Sequence, residues 1–84
     1  MRLVFTLNGW DDYRHWQTAD RATLKRINRL IDDVLRDPFA GIGKPEPLRH
    51  GLAGCWSRRI TDEHRLVYLV EEDDVVILQA RYHY

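Results

Sequence analysis

Residues 56–83 read WSRRITDEHRLVYLVEEDDVVILQARYH, and their punctuation decides the fold. Apolar and β-branched runs at 56–60, 64–70 and 75–83 are broken by TDE at 61–63 and by EEDD at 71–74, a pattern of strands joined by tight turns. Three strands with two short connections predict an antiparallel meander. Side chains alternate along a strand, so Arg65, Val67 and Leu69 share one face of the middle strand and His64, Leu66, Tyr68 and Val70 the other. Both faces carry apolar residues. One face is expected to pack on a second layer, and the other to be partly concave and loaded with charge.

Upstream, Phe39 to Pro47 holds Gly41, Gly43, Pro45 and Pro47, which predicts a connection crossing from that second layer to the sheet. The layer itself is helical. Leu24, Ile27, Leu30, Ile31, Val34 and Leu35 form a stripe at helical spacing opposite Arg21, Lys25, Arg29 and Asp32, with Asp20 as N-cap and Asp37–Pro38 as the stop. Before it, Arg2 to Leu7 reads as a strand, and Thr6 or Asn8 caps a short helix carrying Trp10, Tyr13 and Trp16 toward the core. The fold class expected is therefore α+β, with two N-terminal helices packed on a mainly antiparallel sheet.

The 84 residues suffice for one domain, 1–84, with a modest core. A composition of 44% hydrophobic and 31% charged residues with three Trp is that of a folded chain and excludes a disordered tail. The single cysteine, Cys55, forbids an internal disulfide and suits a reducing compartment. The apolar patch Leu3 to Leu7 is too short for a signal peptide or membrane span; a cytoplasmic location without membrane contact is expected. Thirteen basic and thirteen acidic groups balance, but four of the acids form the block Glu71 to Asp74, and the remainder carries a net +4. A mildly basic face follows, a weak nucleic-acid signal on its own.

The charged residues match the parts that metal-free RNA cleavage requires. The 2′-hydroxyl attacks the adjacent phosphate if a base takes its proton, an acid protonates the leaving 5′-oxygen and cations stabilise the phosphorane. Glu46, held between Pro45 and Pro47, is the candidate base. His83 is the candidate acid. Arg65 is the candidate clamp, because a planar guanidinium bonds two phosphate oxygens at once. Lys44, Arg49, Arg58 and Arg59 are candidates for flanking phosphates, and Tyr82 and Tyr84 for stacking on an unpaired base or bonding a phosphate. Each has a bland rival: a solvated loop glutamate, strand arginines paired with Asp62 or Glu63, a frayed terminal histidine. Their joint occurrence carries the case. His15, His50 and His64 show no metal-ligand spacing, so neither a metal nor a cofactor is expected.

Four stretches, Trp10 to Tyr13, GKPEPL at 43–48, WSRRITDEHRLVY at 56–68 and RYHY at 81–84, together resemble the YoeB toxins, of the RelE-like superfamily of toxin–antitoxin nucleases, essentially end to end. The resemblance implies a compact fold related to microbial ribonucleases. It further implies a metal-independent endoribonuclease that enters the A site of the small ribosomal subunit and cleaves mRNA during translation, held inactive by a cognate YefM-like antitoxin, with room for a homodimer. On this resemblance the base falls on Glu46, the phosphate-stabilising arginine on Arg65 and the acid on His83, with Tyr84 and Arg59 at further active-site positions. Arg49 replaces the lysine common in the family and supplies charge but no base. Ile42 stands where relatives can be basic. The rival function is a non-nucleolytic binding toxin, such as a gyrase inhibitor, or a pure interaction module with Tyr82 and Tyr84 as anchors.

Overall fold

The computed structural model describes residues 1–51 and 53–82. Seven elements follow one another: β1 (Arg2–Phe5), α1 (Leu7–Ala19), α2 (Arg21–Arg36), β2 (Glu46–Pro47), β3 (Cys55–Arg59), β4 (Arg65–Glu71) and β5 (Asp74–Gln79). The strands form one sheet in the order β1-β5-β4-β3-β2. Three of its pairings are antiparallel and the β1–β5 pairing is parallel, so the expected α+β class and mainly antiparallel sheet are observed.

The expected caps account for the helix boundaries. Thr6, not Asn8, is the first cap, its hydroxyl accepting from the Gly9 amide at 3.0 Å, which ends β1 at Phe5 rather than Leu7. The helix it opens is not short: it runs 13 residues, because Leu7 and Asn8 lie before the aromatic spacing that marks it in the sequence. Asp20 accepts from the amides of Ala22 and Thr23 and from the Thr23 hydroxyl, satisfying donors that the first turn leaves open. That carboxyl is held below the usual range, chiefly by the Thr23 hydroxyl.

Ile27, Leu30 and Val34 of α2 are fully buried against Leu66, Tyr68, Val75 and Ile77, giving the core its two layers. Gly9 lets α1 lie directly on the sheet, since a Cβ there would stand 2.2 Å from the Ile77 carbonyl oxygen. Of the three α1 aromatics expected at the core, only Trp16 is buried. Tyr13 is half-buried, and Trp10 is 42% exposed, stacking on Tyr13 at 5.8 Å between ring centroids. The helix is amphipathic over a narrower arc than its aromatic spacing suggests.

Both hairpins fall where expected, and Glu71 pairs with Asp74 across a two-residue turn. The last strand is shorter than predicted. It ends at Gln79, because Val67 pairs with Gln79 while Tyr68 pairs with Ile77, leaving Leu78 as a bulged extra residue. Residues 80–82 form a bend instead. On the face turned away from the helices, Cys55, Ser57 and Val67 are buried apart from the main core, and Cys55 is a free thiol.

Candidate functional site

Strand parity separates the two adjacent arginines of β3. Arg58 pairs with Leu66 and turns to the helical side, where it is fully buried. Its guanidinium donates to Asp33 Oδ2 at 2.5 Å, to the Ile42 carbonyl at 3.1 Å, to the Asp37 and Ala40 carbonyls at 2.6 and 3.1 Å, and to the Tyr68 hydroxyl at 3.2 Å. Arg58, a sequence candidate for flanking phosphate, is thus not on the surface: every face of its fork is occupied inside the protein. Asp33 also accepts from Arg36 and from the Ile42 amide, and these donors, Arg36 first and Arg58 next, keep its carboxyl far below the usual range. Burial pushes the Tyr68 hydroxyl up, against the opposing pull of Arg58.

The same guanidinium fixes the connection that carries Glu46. With the carbonyls of 37, 40 and 42 gathered on Arg58, the Gly43 carbonyl accepts from the Arg59 amide at 2.6 Å. The chain then turns through Lys44 at φ 52° into β2. Gly41 has φ 131°, and a Cβ there would lie 1.9 Å from Asp33 Oδ2, so only glycine fits beneath the bend. β2, read from the sequence as mere connection, pairs with β3, Glu46 opposite Ser57 and Pro47 opposite Trp56. As an edge strand it tolerates the proline, which has no amide to donate.

Register brings the other candidates to one face. Glu46 lies opposite Ser57, Ser57 opposite Val67, and Val67 opposite Gln79, while Arg59 lies opposite Arg65 two pairs along. Paired residues share a face, so Glu46, Arg59, Arg65 and Gln79 all rise from the side away from the helices. Glu46 and Arg65 are two strands apart, about 10 Å in the pairing direction. Arg65 Nη1 donates to the carbonyls of Thr61, Asp62 and His64; among the described residues, its Nε and Nη2 carry no protein partner. Lys44, Glu46, Arg49 and Arg59 are exposed, and a cleft is lined by Glu46, Pro47, Leu48, Arg49 and His50.

His83 and Tyr84 lie outside the described residues. The chain leading to them is closely held. The Ala80 amide donates to Asp12 at 3.0 Å and its carbonyl accepts from the Trp16 indole at 2.8 Å. Gln79 Nε2 donates to the Arg81 carbonyl at 2.7 Å, and the Arg81 guanidinium covers the Tyr82 ring at 4.6 Å. The Tyr82 carbonyl accepts from the Arg65 amide at 3.0 Å, and the Tyr82 amide donates to His64 Nδ1 at 2.8 Å. Sequence reasoning assigned no such role to Asp12, Trp16, His64 or Gln79. Their partners lie 68, 64 and 18 residues away for the first three, separations that no local spacing reveals. Among the described residues, no group of three His, Cys, Asp or Glu is placed to hold a metal ion, and no helix is long and apolar enough to cross a membrane.

Comparison with known proteins agrees with this architecture. A family profile described as YoeB-like toxin of bacterial type II toxin-antitoxin system matches residues 5–84. A Toxin YoeB from Streptomyces coelicolor is 63% identical over 84 residues, covering 100% of both chains. Among solved structures, a YoeB/ParE toxin from Agrobacterium tumefaciens superposes with a TM-score of 0.95 at 52% identity over 100% of each chain. The toxin in a YoeB-YefM complex from Staphylococcus aureus superposes at 0.89, with 39% identity over 100% of this chain and 98% of that one.

Proposed function

Because the chain belongs to the YoeB-like toxins of bacterial type II toxin-antitoxin systems, we propose that it cleaves mRNA in the ribosomal A site without a metal and is held inactive by a YefM-like antitoxin. Glu46 takes the proton of the 2′-hydroxyl, and the freed oxygen attacks phosphorus. The bond from phosphorus to the 5′-oxygen breaks, and His83 supplies the proton to that leaving oxygen. The products are a 2′,3′-cyclic phosphate and a 5′-hydroxyl. Arg65 stabilises the charge on the phosphorane through its Nε and Nη2 edge, a geometry suited to two phosphate oxygens. Tyr84 assists at the same phosphate, while Lys44, Arg49, Arg59 and Tyr82 engage the flanking strand.

The observation that carries this proposal is the common sheet face of Glu46 and Arg65, with Tyr82, the residue before His83, bonded to the Arg65 amide. Primer extension on a message in a translating extract tests it. The wild-type protein is expected to leave discrete ends within A-site codons. His83→Gln and Glu46→Gln should each lower the cleavage rate by ~10² to 10⁴, the usual contribution of a positioned acid or base. Undiminished cleavage by His83→Gln would remove the acid assignment, and DNA breaks with intact message would replace the nuclease by a gyrase-directed toxin.

A further inference from the structure

His64 is a half-buried histidine at the entrance to β4, and the cleavage chemistry leaves it unassigned. Its ring stands edge-on to Trp16 at 4.9 Å and tilted to Tyr82 at 5.8 Å between centroids. Its Nδ1 accepts the Tyr82 amide proton at 2.8 Å. A ring nitrogen accepts only when it carries no proton, so the contact assigns Nδ1 as the acceptor and leaves Nε2 as the donor side of the ring. Tyr82 has φ 64°, a left-handed conformation that bulky residues adopt only when their surroundings enforce it. The enforcing contacts are few and specific. His64 takes the amide, the Arg65 amide and Gln79 Nε2 reach the carbonyl at 3.0 and 3.3 Å, and Arg81 covers the ring. His64 and Arg65 are consecutive, so one turn of the chain holds Tyr82 by both its amide and its carbonyl.

We propose that His64 is a positioning residue for cleavage: by accepting from the Tyr82 amide it fixes the left-handed turn that the Arg65 amide also holds, the turn that immediately precedes His83 in the sequence. The role presupposes the cleavage proposed above, with His83 as acid. Tyr82 immediately precedes His83 in the sequence, so the backbone conformation held at Tyr82 governs the direction in which the chain continues. A displacement of 1 Å is enough to lower a rate by roughly 100-fold.

Single-turnover cleavage by four variants tests this, alongside amide exchange at Tyr82 and nitrogen NMR of His64. His64→Phe keeps a ring against Trp16 but has no acceptor; His64→Asn keeps an acceptor close to the place of Nδ1. His64→Phe is expected to lower the cleavage rate roughly 10- to 100-fold with little change in KM and to speed Tyr82 amide exchange. His64→Asn should retain most of both. Adding His64→Phe to His83→Gln should cause almost no further loss, since both act on one proton transfer. Wild-type rates in His64→Phe, equal losses in the two His64 variants, or a fully multiplicative double variant would each overturn the proposal. So would a spectrum of the wild-type protein showing the neutral ring protonated on Nδ1, a measurement that does not depend on the variants folding. Undiminished cleavage by His83→Gln would overturn the acid assignment and this role with it, whereas an inactive His83→Gln beside a fully active His64→Phe would overturn this role alone.

Discussion

Arg58 and Arg59 are neighbours in sequence, identical in chemistry and opposite in placement. Arg58→Met removes the hub that binds Asp33 and three loop carbonyls. Breaking a buried ion pair of this kind is expected to cost ~3 to 5 kcal/mol, and thermal denaturation should show Tm lowered by more than about 10 °C for a domain of this size. Arg59→Met is expected to change stability by no more than about 0.5 kcal/mol, because its side chain is exposed. Its effect is expected on the proposed RNA contact, where the slope of log affinity against log salt should drop by about 1. The distinction was partly legible: alternation along the strand puts Arg58 on the face of Trp56 and Arg59 on that of Ser57, without saying which of the two faces the helices. What the sequence does not reveal is that the carbonyls of 37, 40 and 42 converge there, since that depends on how the glycine-containing bend closes.

At the scale of elements, those with strong periodicity were readable and those made by tertiary pairing were not. α2 was legible from its stripe and its Asp20 cap, and the β3–β4–β5 meander from its two turns. β2 was hidden because two residues, one a proline, carry no period; it exists only because the Arg58-anchored bend delivers Glu46 against Ser57. The end of β5 was overestimated because the apolar run continues through Ala80, while the bulge at Leu78 redirects the backbone toward Asp12 and Trp16. Contact of α1 with β5 is itself tight. Gly9→Ala places a methyl against the Ile77 carbonyl and is expected to destabilise by roughly 1 to 3 kcal/mol, visible as a lower urea midpoint. Cleavage should fall as well, because α1 also supplies the two side chains that hold Ala80.

Across the whole molecule, the neutral formal charge conceals carboxylates committed to folding. Asp20, Asp33 and Asp74 all have pKa values lowered in the folded protein, Asp74 chiefly by its hydrogen bond to Arg2. A lowered folded value means that their stabilisation is complete above the unfolded carboxylate pKa of about 3.9 and is lost as pH falls through that value toward the folded ones. Tm is therefore expected to hold steady, as far as these groups decide it, from pH 7 to about 5 and to fall steeply below about 4. Asp33→Asn should flatten that acid limb while lowering Tm at neutral pH, measured by calorimetry across the series.

Cys55, the one sulfhydryl in the chain, is sealed within β3 at 5% exposure. It reaches an alkylating reagent only when that strand parts from its neighbours, so the labelling rate reports how often the native sheet opens. The protein thus carries its own clock for breathing, readable by mass spectrometry without an engineered probe, and ligands that clamp the sheet will slow it.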